Sequence, residues 1–161
     1  MASAIPLKTL EIDWADLEIA YRDSTTGIES FLDRETGEVV TVFDRDQPEW
    51  GLVRRQPERY LRVPGYRCEE ARAVLRGFVQ QLHEGETRSA LEGALQSPAA
   101  LSRCSEILAE NALLLDDFAH FEERAIYERL MLWLGALGIC AEQPPPFAVC
   151  LALVGLRTQA A

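Results

Sequence analysis

Several kinds of residue and motif are scarce in this chain. Histidine occurs twice, at His83 and His120, and lysine once, at Lys8, so nearly all the positive charge is arginine. The four cysteines, Cys68, Cys104, Cys140 and Cys150, form no C-x-x-C pair. With only two histidines to join them, a zinc site is not expected. Phosphate-cradling loops are missing too: there is no G-x-x-x-x-G-K and no G-x-G-x-x-G, and Gly51, Gly85 and Gly93 are isolated. The apolar runs Met131 to Ala141 and Phe147 to Leu156 are each too short to span a bilayer, and Glu142 and Pro144–Pro146 separate them. The opening residues carry neither a charged start nor a long apolar stretch, so no secretory signal is expected. Scattered cysteines outside an oxidising compartment read as small buried hydrophobes, and a cytoplasmic location with no membrane role follows as the expectation.

What is abundant is acid. Lys+Arg number 16 and Asp+Glu 26, a net charge of −10. Such a balance argues against direct nucleic-acid binding and leaves open an acidic surface offered to a basic partner. The length of 161 residues with 48% apolar residues suffices for one domain with a sizeable core. A single α+β domain over 1–161 is expected. It comprises a helix plus small sheet over 9–65, a helical half over 66–140, and a proline-rich turn with an apolar tail over 141–161.

Local patterns supply the elements. Residues 1–8 read as a loose start. Asp13 is placed to cap a helix carrying Trp14, Leu17, Ala20 and Tyr21 at helical spacing. Residues 29–33 and 38–43 read as the strands of a hairpin, because Gly37 supplies the left-handed residue its loop needs and Val39, Val40, Thr41, Val42 and Phe43 favour strand. Asp44 to Gly51 reads as a loop. Tyr60 to Val63, ahead of Pro64-Gly65, reads as a third strand completing a small antiparallel sheet. From Glu69 the apolar period becomes helical. Four helices are expected: one carrying Val74, Leu75, Phe78 and Val79; one capped by Thr87; one opened by Ser97-Pro98; and a last one capped by Asp117 and closed by Gly138. Thus a small antiparallel N-terminal sheet and a C-terminal bundle of about four helices are expected. Phe147 to Val154 reads as a final strand or a short buried helix, with the bounding prolines and Gly155 favouring strand; as an edge, Phe147–Leu156 would allow a homodimer beside the monomer.

The segment Ile12-Asp13-Trp14-Ala15-Asp16-Leu17-Glu18 resembles the opening of a bacterial family known as uncharacterised protein family 0158. The hairpin Phe31-Leu32-Asp33-Arg34-Glu35-Thr36-Gly37-Glu38-Val39-Val40 is similar to that family's as well. So are Tyr60-Leu61-Arg62-Val63-Pro64, then Phe78, Leu91, Ala94-Leu95 and Trp133 through Ile139. The likeness runs over roughly residues 10 to 140. It supports the element order and implies no activity. Members carry a basic-aromatic run at the third helix; the matching stretch here, Ala99 to Ser105, keeps one arginine, Arg103.

For chemistry, the acid pairs Asp13/Asp16, Asp44/Asp46, Asp116/Asp117 and Glu122/Glu123 sit close in sequence, where they serve caps, turns and solvated faces rather than converging in a cleft. The stretch Asp44 to Arg55 is the candidate contact surface: Asp44, Asp46, Glu49, Trp50, Arg54 and Arg55 combine acids with the residue types that dominate binding hot spots. Trp50 in a polar stretch either folds back on the core or faces a partner. Two functions are therefore expected in competition. One is a non-catalytic, acidic protein-binding or regulatory module with an unidentified protein partner and no cofactor or metal. The other is a hydrolase-type enzyme with a carboxylate or Cys/His site drawing on Cys104 or His120.

Overall fold

The computed structural model describes residues 8–146. The expected final strand from Phe147 lies outside the described residues. The chain is mixed α+β, in element order β1 Lys8–Leu10, α1 Trp14–Arg22, β2 Glu29–Asp33, β3 Val39–Val42, α2 Pro48–Arg55, β4 Tyr60–Arg62, α3 Cys68–Gln81, α4 Glu86–Leu95, α5 Ala100–Ala109, α6 Ala112–Ala136 and β5 Ile139–Ala141. Two units emerge. The first takes the described residues up to Gly65 and from Tyr127 on; the second is Tyr66–Ile126.

The first unit is built on the hairpin. β2 lies between β3 and β4, antiparallel to both, with Phe31 opposite Val40 and Arg62. The loop between β2 and β3 turns because Gly37 takes φ +86°, a conformation disfavoured for residues bearing a Cβ. Gly37 meets a second requirement: a Cβ there would overlap the Glu11 carbonyl oxygen. Asp33, 4% exposed, fixes the base of the hairpin. Its carboxylate takes two bonds from the Arg59 guanidinium, Nε to Oδ1 at 2.9 Å and Nη2 to Oδ2 at 2.7 Å, and a third from the Glu35 amide at 2.8 Å. The fork-to-fork geometry ties β2 to the start of β4. Glu35 adds a contact on Nη1 at 2.7 Å, and the guanidinium lies over the Tyr60 ring. Burial opposes ionisation of Asp33, but the Arg59 bonds and charge and the Glu35 and Thr36 amides together outweigh it and hold the carboxyl below its ordinary value.

Asp13 caps α1 as its spacing predicts, with Oδ1 accepting from the Ala15 and Asp16 amides. Trp14, Leu17, Ala20 and Tyr21 are the buried face of this helix. Trp14 stands edge-on to Tyr127, 5.9 Å between centroids, and the Tyr127 hydroxyl donates to Glu18 at 2.6 Å. The loose start expected for residues 1–8 gives way at Lys8 to β1, which pairs in parallel with β5, Thr9 opposite Cys140. The pairing escapes a local reading because its two strands have three residues each and lie at opposite ends of the described chain. Gly138, at φ +72°, releases α6 into β5 as expected of it.

The second unit packs α3, α4, α5 and the start of α6 around Leu75, Phe78, Val79, Leu91, Ala94, Cys104 and Leu108, with Phe118 and Phe121 closing on Phe78. Here the caps correct the sequence reading. α4 begins at Glu86 after Gly85 rather than behind a Thr87 cap. Ser97 accepts from the Ala99 amide and makes a turn, so α5 starts at Ala100. The last helix opens earlier than Asp117: Asn111 Oδ1 accepts from the Leu113 and Leu114 amides, the bonds of an N-cap. An Asn cap satisfies the orphan amides as well as Asp does, and starting there puts Leu114 on the core. The bundle of about four helices thus becomes three helices and the first part of a fourth. α6 passes on into the first unit, and six helices are present among the described residues rather than five.

Candidate functional site

The candidate surface over residues 44–55 is a turn followed by a helix, not the loop read from Asp44 to Gly51. Gln47 Oε1 accepts from the Phe43 and Asp44 amides, and the Asp44 carboxylate accepts from the Asp46 amide. Those bonds set up Pro48 at the first position of α2, where its missing N–H costs nothing. Glu49 in the first turn and Arg54 and Arg55 in the last complement the helix dipole. Only Val53 of α2 is buried, beside Phe31, Val42 and Tyr60.

Asp44, Asp46, Glu49, Arg54 and Arg55 are exposed, and Trp50 is half-buried. The Trp50 ring meets Phe31 at 6.5 Å and 54°, and the Arg45 guanidinium covers it at 5.7 Å. Trp50 therefore joins the two alternatives: one side completes the core beneath the sheet, and the other carries a cation toward solvent. Arg55 Nε returns to the Gly51 carbonyl at 3.0 Å, which holds that side chain along the helix. Asp44 is spent on the turn.

Two members of this surface escaped the sequence reading. Phe43 is 63% exposed and Leu52 37% exposed. Ile19, Leu113, Leu115, Met131 and Leu132 are exposed elsewhere among the described residues; here two lie in one stretch beside Trp50. For Phe43 a signal existed: strand side chains alternate, so with Val42 turned inward Phe43 turns out. The same stretch is electrically balanced. Arg45, Arg54 and Arg55 offset Asp44, Asp46 and Glu49, so the whole excess of −10 resides elsewhere in the chain.

The groups considered for catalysis are not brought together. Cys104 is fully buried in the helical core with Sγ toward the Leu91 carbonyl, and burial pushes its thiol up. His120 has a side chain 70% exposed, with Nδ1 2.8 Å from the Asp116 carbonyl. That carbonyl and the Asp116 carboxylate raise its pKa above 6.5. Among the described residues no three His, Cys, Asp or Glu side chains are grouped to hold a metal ion.

A groove of about 340 Å³ opens in the first unit, lined by Trp14, Met131, Leu134, Ile139, Cys140 and Pro145 with their neighbours. A hairpin fastened by buried Asp33 to half-buried Arg59, a parallel pairing of β1 with β5 and a helical unit together define a small mixed α+β protein. The chain belongs to the Uncharacterised protein family (UPF0158), whose model matches residues 8–142. It is similar to the protein of that family from Pseudomonas aeruginosa, 27% identical over 128 residues that cover 78% of this chain and 81% of the relative. No solved structure matches.

Proposed function

We propose that this protein is a non-catalytic protein-binding or regulatory module whose contact face is the turn and helix of residues 44–55. One observation carries the reading. In a chain of net charge −10, this charge-balanced patch holds exposed Phe43 and Leu52 beside half-buried Trp50 and the paired Arg54 and Arg55. Apolar anchors flanked by arginine, on and just before a short helix, are the composition of a binding hot spot. The partner it fits is a protein surface with an apolar pocket for the exposed side chains and carboxylates placed to meet Arg54 and Arg55. We further place the protein in the cytoplasm. Cys68, Cys104 and Cys140 are free thiols, which suits a reducing compartment. No helix of the described residues is long and apolar enough to cross a membrane.

The test is quantitative capture of partners by tagged protein, wild type against Phe43→Ser/Arg54→Glu/Arg55→Glu. All three side chains are exposed, so the variant leaves Trp50 and the core intact. The reading expects a stoichiometric partner whose recovery drops at least about tenfold in the variant. Undiminished recovery by a folded variant removes the assignment. Multiple turnover of an ester or phosphoester panel by wild-type protein would favour the hydrolase reading instead.

A further inference from the structure

The second unit carries a hollow of its own. It opens between α3 and the last turn of α4 with a volume of about 340 Å³, within the roughly 300–1,000 Å³ of small-ligand pockets. Arg72, Arg76 and Gln80 stand at successive four-residue steps of α3 and line one wall. That spacing puts them on one face of the helix, each a turn from the next. Val79 and Leu95 supply the apolar part of the lining, and Gln96 follows at the end of α4. Glu92, the acid of the lining, is held by Arg88, whose Nε donates to it at 2.8 Å.

The two arginines of this wall are unanswered. Among the described residues no hydrogen bond or ion pair engages half-buried Arg72 or exposed Arg76. Acids outnumber bases 26 to 16 in this chain, yet none is bonded to either. Like charges one turn apart on a helix repel and destabilise it. Exposed, unpaired arginines also occur at Arg103 and Arg124, but here two share one concavity. Guanidinium forks bind oxyanions through paired hydrogen bonds. Two of them on one wall match a dianion: a phosphate ester carries about −1.5 to −2 at neutral pH, a carboxylate a single charge. We propose that this hollow is a binding site for a small phosphorylated molecule, its phosphate bridging Arg72 and Arg76 and its organic part lying along Val79 and Leu95. The bound phosphate removes the repulsion between the arginines, and the Gln80 and Gln96 amides add donors and acceptors to the lining.

The experiment titrates phenyl phosphate into the full chain at low ionic strength and about pH 8, above the second phosphate pKa of about 6. Benzoate carries the same ring on a single charge and serves as the comparison. Amide chemical shifts are expected to saturate over residues 72–80 and 92–96 with phenyl phosphate, at an affinity about tenfold or more above that for benzoate. Arg72→Gln/Arg76→Gln should weaken phenyl phosphate by about tenfold or more. Arg103→Gln/Arg124→Gln removes the same charge from exposed arginines of the same unit and should change its affinity by less than about twofold. Removing the like-charged pair leaves the melting temperature at or above the wild-type value, which separates lost binding from lost structure. The proposal is overturned if phenyl phosphate gives no saturable shift at about 10 mM, or if the two double variants weaken it equally. Benzoate binding as tightly overturns the selection of a dianion. Inorganic phosphate binding as tightly overturns the seat along Val79 and Leu95 and leaves a site for the ion alone.

Discussion

Gly37→Ala tests how the hairpin is fastened, and the chain provides its own control. Gly37 and Gly27 both have positive φ, +86° and +91°. Alanine at either position costs about 1–2 kcal/mol for the left-handed backbone. At Gly27 nothing lies within 4 Å of the new Cβ, so the cost ends there. At Gly37 the Cβ overlaps the Glu11 carbonyl oxygen and has the Ile12 side chain beside it at 3.4 Å. Backbone cannot rotate aside as a side chain does, so the hairpin or the β1–α1 connection must move. That adds about 1–3 kcal/mol, the scale of overpacking. Gly37→Ala should therefore lose about 2–5 kcal/mol, against about 1–2 for Gly27→Ala. Urea unfolding followed by tryptophan fluorescence measures both, since Trp14 and Trp50 report on the first unit. Equal losses would refute the close approach, and with it the claim that the hairpin loop is seated against Glu11.

Other expectations follow from the same structure. Because Asp33 has its pKa lowered from 3.8 in the folded chain, its contribution to stability is present above that value and lost as the pH falls below it. Asp33→Asn should flatten the acid limb of a pH–stability profile, measured by melting between pH 2 and 6; an unchanged limb would contradict the pairing with Arg59. His120 has the opposite sign: its raised pKa gives a contribution present below 6.5 and lost as the pH rises through the folded value. Asp116→Asn should lower the His120 pKa seen by NMR only in part, because the Asp116 carbonyl, the larger cause, remains. Alkylation followed by peptide mapping should label Cys68 and Cys140 in the native protein and Cys104 only after denaturation. Leu91→Ala, at a side chain with no exposure, should cost about 2–5 kcal/mol in the second unit, read from amide exchange in α3 to α5.

The hairpin was legible because its information is local. Gly37 turns the loop, Val39 to Val42 favour strand, and the turn chemistry lies within ten residues. The Asp13 cap and the apolar face of α3 were legible for the same reason. Turn residues also misled: Asp44, Asp46, Pro48 and Gly51 suggest a loop, yet Asp44 and Gln47 build a turn whose purpose is to start α2 at Pro48. Several residues can cap a helix, so Asp117 competed with Asn111, and only the packing of Leu114 decides between them. The β1–β5 pairing and the bond from Arg59 to Asp33 join residues far apart in sequence, which no local pattern specifies. At the candidate site, the residue types of 44–55 were visible, whereas the exposure of Phe43 and Leu52 and the two-sided seat of Trp50 required the fold.

The most direct test of the contact face is site-specific photocrosslinking in cells, with a photoreactive phenylalanine analogue placed singly at Phe43, Leu52 and Ile19. Ile19, 67% exposed on α1, is as accessible as Phe43 and lies outside the α2 surface. The same crosslinked partner from Phe43 and Leu52, absent from Ile19, is the predicted result. A crosslink from Ile19 alone, or none from Phe43 and Leu52, would contradict a binding face on α2.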